Sequence, residues 1–239
     1  MKLYRHIWLL LGICCVAFKG YAQGASPYII SSRIIPLKYH DRTDTIRLPV
    51  VSTQYPALKK ALSYESIADG DNLPSVIKNY DTCGCGPTGL DYEVIFKSKN
   101  IISIKFYFDS MGAYPNTYQK WLSLNVHTGK LYPIVNEINA AGLRWIYKSY
   151  RDTLRRRIRE DKQANTDEDT DTYEALKTGI ESLESNELLG KYVFTEKGIV
   201  FSIDRILPHV VQSFEPDEEL LIPYEKLRKY RTVKALVIK

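Results

Sequence analysis

Residues 92–109 read YEVIFKSKNIISIKFYFD, and the period of this stretch decides the fold. From Ile101 onward, Ile102, Ile104, Phe106 and Phe108 alternate with Ser103, Lys105, Tyr107 and Asp109. A period of two is the mark of a strand, because successive side chains leave a pleated backbone on opposite faces. The pattern predicts one buried face and one wet face. Residues 92–96 form a second strand, and Lys97-Ser98-Lys99-Asn100 is a polar link short enough to close a hairpin. Beyond a Gly/Pro loop at 111–117, residues 118–127 alternate again, with Leu122, Leu124 and Val126 inward. His127-Thr128-Gly129 then turns the chain into a short strand at 131–134. Strands joined by such short links predict an antiparallel meander.

On the N-terminal side, residues 23–44 carry short apolar pieces that read as an edge strand or an ordered arm, and residues 45–51 read as a strand. Residues 55–69 predict one helix: Pro56 sits at the first helical position, Leu58, Ala61, Leu62 and Ile67 share a face, and Gly70 supplies the stop. A shorter helix follows at 75–80. On the C-terminal side, Leu143, Ile146, Tyr147, Tyr150, Leu154 and Ile158 recur every three or four residues, predicting a helix over 138–160. An acidic connector (163–172), a second helix (173–183), a hairpin around Glu196-Lys197-Gly198, and a strand (220–223) feeding a helix (224–230) complete the chain. Helices and antiparallel strands in separate blocks predict an α+β fold. The first expected divisions are a signal peptide (1–22) and an arm (23–44).

The first 22 residues hold Lys2 and Arg5, an apolar run from Ile7 to Phe18, and small residues up to Ala22. That order describes a secretory signal cleaved after Ala22, since the apolar run is shorter than the roughly 20 residues a membrane span needs. The chain is therefore expected to be exported, to the periplasm or fully secreted. Without those residues, 30 Lys+Arg face 28 Asp+Glu, so the net charge of +5 falls to +2. No basic stripe interleaved with aromatics remains, which argues against a nucleic-acid partner. No second apolar segment approaches the length of a span. Tyrosine is abundant, 18 in the chain, a composition that suits a recognition surface and core packing alike.

Motifs for chemistry are sparse. Asp167, Asp169 and Asp171 have the alternating spacing of a calcium loop, but Thr172 and Thr178 stand where such a loop needs Gly and a bidentate Glu. His40, His127 and His209 form no metal-binding pair, and there is no nucleophile elbow or phosphate-cradling loop. No cofactor or metal is expected. The remaining feature is YDTCGCGPTGLDYEV at 80–94. In an oxidising compartment, Cys83 and Cys85 read as a local disulfide, with Gly84 and Gly86 permitting the turn. Reduced structural thiols, a redox centre, a metal site and an intermolecular pair are the alternatives.

NIISIKFYFD (100–109), GAYPN (112–116), WLSLNVHTGKLYPIVNEI (121–138), VFTEKGIVFSI (193–203) and LLIPYEKLRKY (220–230) occur in that order. Together the set resembles the extracellular domain of RsiV-type anti-sigma factors, which also precedes the catalytic domain of PdaC-type peptidoglycan deacetylases. The shared pattern is a strand, a Gly-Ala loop, a strand ending in Thr-Gly-Lys, a late Gly-containing hairpin, and Pro-Tyr before the last helix. The chain departs from it at Tyr114-Pro115, where the family often has His-Gly, and at Cys83-Gly84-Cys85, which lies outside the pattern.

The resemblance implies an α+β fold, antiparallel sheets packed with helices in two intertwined subdomains, N-terminal (45–98) and C-terminal (99–231), with a tail at 232–239. It also implies a non-catalytic binding role outside the cytoplasm, with a lysozyme-like protein or a cell-wall glycan as ligand. The candidate binding residues are Tyr107, Gly112, Ala113, Tyr114, Pro115, Asn116, Pro223 and Tyr224, on the reasoning that aromatics on loops beside a rigid sheet display well. Two rival readings stand beside it: a thiol/disulfide redox enzyme built on Cys83 and Cys85, and a structural envelope protein acting by self-assembly.

Overall fold

A computed structural model describes residues 27–164, 170–182, 189–202 and 219–239. Five strands form the main sheet: β1 (Ile29–Tyr39), β2 (Arg42–Val51), β3 (Gly86–Lys97), β4 (Ile101–Met111) and β5 (Pro115–Asn125), side by side in chain order. Three more, β6 (Tyr192–Phe194), β7 (Gly198–Ser202) and β8 (Glu219–Pro223), form a second sheet. The helices are α1 (Pro56–Ala61), α2 (Tyr64–Ile67), α3 (Leu73–Cys83), α4 (Ala140–Ala164), α5 (Thr170–Ser182) and α6 (Tyr224–Leu227). The fold is α+β. No described helix is long and apolar enough to cross a membrane. Residues 1–26, including the expected cleavage site at Ala22, lie outside the described residues, as do Asp167, Asp169 and His209.

The meander β3–β4–β5 is antiparallel, with Ile102, Ile104, Phe106 and Phe108 buried against α1–α3. The expected arm is a full strand: β1 runs along β2 as an edge hairpin turning at His40 and Asp41. The expectation of purely antiparallel sheets fails at one place. β2 and β3 are parallel neighbours, Ile46 opposite Leu90. Three helices intervene between these strands, and a crossover of that length returns the chain to the same end of the sheet.

The single helix expected over 55–69 is two helices. Ser63 takes an extended conformation and its hydroxyl accepts the Ser66 N–H, so it caps α2 instead of continuing α1. α3 is capped at both ends: the Asn72 side chain accepts the Ser75 N–H at 3.2 Å, and Gly84 closes it in the left-handed conformation, its N–H reaching the Tyr80 carbonyl at 2.7 Å. The strand expected at 131–134 shrinks to a bridge between Leu131 and Leu124, followed by a 3-10 turn (Ile134–Asn136), because Pro133 has no N–H to extend a ladder.

The wet face expected on β4 is the largest correction. Ser103 and Lys105 are buried, because the second sheet packs over this half of β4. Ser103 shares a hydrogen bond with the Ser123 hydroxyl at 2.8 Å and accepts the Phe194 N–H at 3.1 Å. Lys105 lies 3.9 Å from the Trp121 ring centroid and ion-pairs with Glu219 at 2.5 Å. Its charge is thus satisfied by a cation–π contact and a carboxylate.

β3 and β4, which flank the expected boundary at 98–99, form one hairpin. The expected tail is packed: Ile238 is buried beside Ile146, Phe194 and Leu227. Several tyrosine hydroxyls serve the interior. Tyr28 donates to the Ser98 carbonyl, Tyr80 to Asp44 and Tyr132 to Glu137, at 2.6, 2.6 and 2.8 Å.

Candidate functional site

Packing of the second sheet divides the odd-numbered face of β4 in two. One half, around Ser103 and Lys105, is covered. The other is covered by no described element, and Tyr107 stands in it, half-buried, opposite Asp91 on β3 and Gln119 on β5. Its hydroxyl donates to Glu93 at 3.2 Å. Burial and the nearby carboxylates, Glu93 first, push the Tyr107 phenol up to about 12. It is therefore a neutral hydrogen-bond donor at physiological pH. Asp109 extends the face toward the tip, and Asp91 ion-pairs with Arg47. Around Tyr107 the carboxylates of Asp91, Glu93, Asp109 and Glu219 face the cations Arg47 and Lys105. The aromatic surface thus has an acidic rim.

The expected loop at 111–117 is a tight turn. β4 pairs with β5 as far as Met111 opposite Pro115, so Gly112, Ala113 and Tyr114 alone form the tip. Every residue from 112 to 119 is exposed, Tyr114 by 83 %. Behind the tip, Phe108 and Tyr118 stack at 4.6 Å between ring centroids, and Lys120 ion-pairs with Asp69 at 2.5 Å. The hairpin is paired to its end.

Pro223 and Tyr224 sit elsewhere. Tyr224 packs on the cluster that holds Ile101, the first residue of β4, whereas the tip follows the last; an eleven-residue strand spans roughly 30 Å. The Tyr224 hydroxyl donates to the Thr195 carbonyl at 2.8 Å, its N–H reaches the Lys197 carbonyl at 3.2 Å, and burial raises its phenol. These bonds occupy Tyr224 in holding α6 on the β6–β7 turn. The structure brings Tyr107 and positions 112–116 onto one hairpin and leaves Pro223 and Tyr224 apart from them. Asp91, Glu93 and Asp109 are the members of the face that sequence reasoning missed; their polar alternation on β3 and β4 was the available signal.

Cys83 and Cys85 are joined by a disulfide, Cα to Cα 5.2 Å, between the end of α3 and the start of β3. Cys83 is exposed and Cys85 half-buried. The pair sits at the negative pole of α3, which disfavours a thiolate. A ring of three residues constrains the unfolded chain little. The double variant Cys83→Ser/Cys85→Ser is expected to lose no more than about 1.5 kcal/mol in a thermal or urea melt. Among the described residues no three His, Cys, Asp or Glu side chains converge on a metal-sized site.

No protein-family model matches the chain, and no curated protein does. Solved structures do. A DUF3298 family protein from Pseudomonas aeruginosa PAO1 superposes over 88 % of this chain and 97 % of its own, with a TM-score of 0.52 at 11 % identity. The chain has the DUF3298 fold. A second member of that family, from Bacteroides fragilis, matches over 85 % of this chain and 92 % of its own, at 15 % identity and a TM-score of 0.49.

Within the DUF3298 fold, the motifs that carried the sequence resemblance have packing roles. Gly129 of Thr-Gly-Lys turns with φ +65° against the Ala57 carbonyl. A Cβ at Gly198 of the late hairpin would lie 2.2 Å from the Ile222 carbonyl oxygen.

Proposed function

We propose that the chain is an exported, non-catalytic binding domain, periplasmic or secreted, whose ligand is a lysozyme-like basic protein or a cell-wall glycan. The observation that carries this reading is the half of the main sheet that no described element covers, where Tyr107 stands among Asp91, Glu93 and Asp109 on a hairpin paired to its tip. A basic protein meets the carboxylates, and a sugar ring meets the face of the Tyr107 ring. The resemblance to RsiV- and PdaC-type extracellular domains supports the same ligand classes.

Calorimetric titration of the purified protein with hen-type lysozyme, and separately with soluble peptidoglycan fragments, tests the reading. Saturable binding to one of them is expected. Tyr107→Ala combined with Glu93→Gln is expected to weaken it by about tenfold or more, the equivalent of 1.4 kcal/mol. Tyr224→Phe is expected to leave the affinity unchanged. Binding of lysozyme would also fall with added salt, as contacts among exposed charges are screened. Silence with both ligands removes the reading.

A further inference from the structure

We propose that two copies of this chain pair through the free edge of β5, antiparallel about Gln119, each seating its hairpin tip in the other's groove. The direction of the backbone groups supplies the first argument. Asn125 donates to the Lys130 carbonyl at 2.9 Å, Tyr132 donates to the Ser123 carbonyl at 2.8 Å, and Val126 turns the other way, to Asn100 at 2.9 Å. Odd-numbered residues of β5 therefore point their N–H and C=O away from β4. Thr117, Gln119 and Trp121 present these groups at the end of the sheet, with no backbone partner among the described residues.

The edge carries few of the devices that keep strands apart, its one proline, Pro115, standing at the very start of the strand. β5 carries no carboxylate, its pairing with β4 has no bulge, and its one charged side chain, Lys120, is neutralised by Asp69. Two such edges meet without like-charge repulsion.

The choice of a second copy rests on a self-complementary spacing. Beside the base of β5 lies a groove of about 460 Å³ lined by Trp121, Leu131, Ile134, Val135, Leu189 and Tyr192. Leu131 and Val135 at its mouth are 64 % and 58 % exposed. The bridge to Leu131 is made by Leu124, five residues after Gln119; exposed Tyr114 lies five residues before it. Pairing about Gln119 therefore carries each Tyr114 about 17 Å along the edge, to the partner's Leu131 and Val135. The Tyr132 bond to Ser123 ends the free edge at that point, so the incoming chain must leave the ladder at its own Pro115, which has no N–H to leave unpaired. The pairing goes beyond the binding reading and stands without it, because it is measured on the protein alone.

Analytical ultracentrifugation of the purified protein across a concentration series, with no ligand, tests it. A reversible monomer–dimer equilibrium is expected. Gln119→Pro, a substitution that edge strands tolerate, is expected to raise the dimer dissociation constant about 100-fold or more with the thermal melt retained. Gln119→Cys is expected to give a covalent dimer on mild oxidation, since directly opposed hydrogen-bonded residues sit about 5.5 Å apart. Lys38→Cys on β1, at the opposite edge, is expected to form no covalent dimer under the same oxidation. A wild-type protein monomeric up to its solubility limit overturns the proposal, as does a dimer that Gln119→Pro leaves intact or a Gln119→Cys chain that does not cross-link.

Discussion

Glu137→Ala is expected to destabilise the protein by about 3–5 kcal/mol, because several donors lose the acceptor they share, at about 1–3 kcal/mol for each one left buried and unsatisfied. Glu137 is fully buried. Its carboxylate accepts the N–H groups of Leu236, Val237 and Ile238 at 2.6, 3.0 and 2.9 Å, and the Tyr132 hydroxyl at 2.8 Å. No cation pairs with it among the described residues, so its partners are hydrogen-bond donors alone. Alanine would strand these donors and release the C-terminal residues, taking Ile238 out of the core it shares with Phe194 and Leu227. At about 2–4 °C per kcal/mol for a chain of this size, the melting temperature is expected to fall by roughly 10 °C. Digestion by a carboxypeptidase is expected to accelerate. Glu137→Gln keeps an acceptor and is expected to lose less. A Glu137→Ala protein with an unchanged melt would show that this contact does not hold the C-terminus.

Gly129→Ala is expected to cost more than about 3 kcal/mol, the sum of a left-handed residue that is no longer glycine and an overpacked contact. Gly129 closes the turn after β5, with φ +65° and its N–H on the Asn125 carbonyl at 2.9 Å. An added Cβ would lie 2.3 Å from the carbonyl oxygen of Ala57 in α1. Backbone cannot swing aside as a flexible side chain does, so the turn and α1 must separate. Gly112→Ala at the hairpin tip is the control: nothing lies within 4 Å of its Cβ position, and a change of no more than about 0.5 kcal/mol is expected. Urea melts of the two variants check both values, and equal midpoints would refute the account of the turn.

These two sites show what a sequence discloses here. Gly129 was visible in Thr-Gly-Lys because a left-handed turn leaves a local residue signature. Period-two patterning disclosed β4 and its neighbours for the same local reason. Glu137 carried no signal, since its partners lie about a hundred residues away, near the C-terminus. Burial of Ser103 and Lys105 was equally hidden. Their polarity reads as a wet face until Phe194 and Glu219 arrive from far along the chain. The parallel pairing of β2 with β3 has no turn to announce it. Of the candidate site, Tyr107 and the tip were legible from aromatic and Gly/Pro content. The acidic rim was not, because it depends on which half of the sheet the second sheet leaves uncovered. Tyr224 looked like a displayed aromatic and is instead occupied by Thr195 and Lys197. Sequence alone does not distinguish a tyrosine that ties two elements from one that faces a ligand.

The central claim is that the open half of the main sheet is a binding face. Backbone amide chemical-shift mapping of the isotopically labelled protein, titrated with hen-type lysozyme and then with soluble peptidoglycan fragments, tests it most directly. The account predicts saturable shifts centred on Asp91, Glu93, Tyr107 and Asp109 with one of the two ligands. Shifts confined to other surfaces, or none with either ligand, would contradict it.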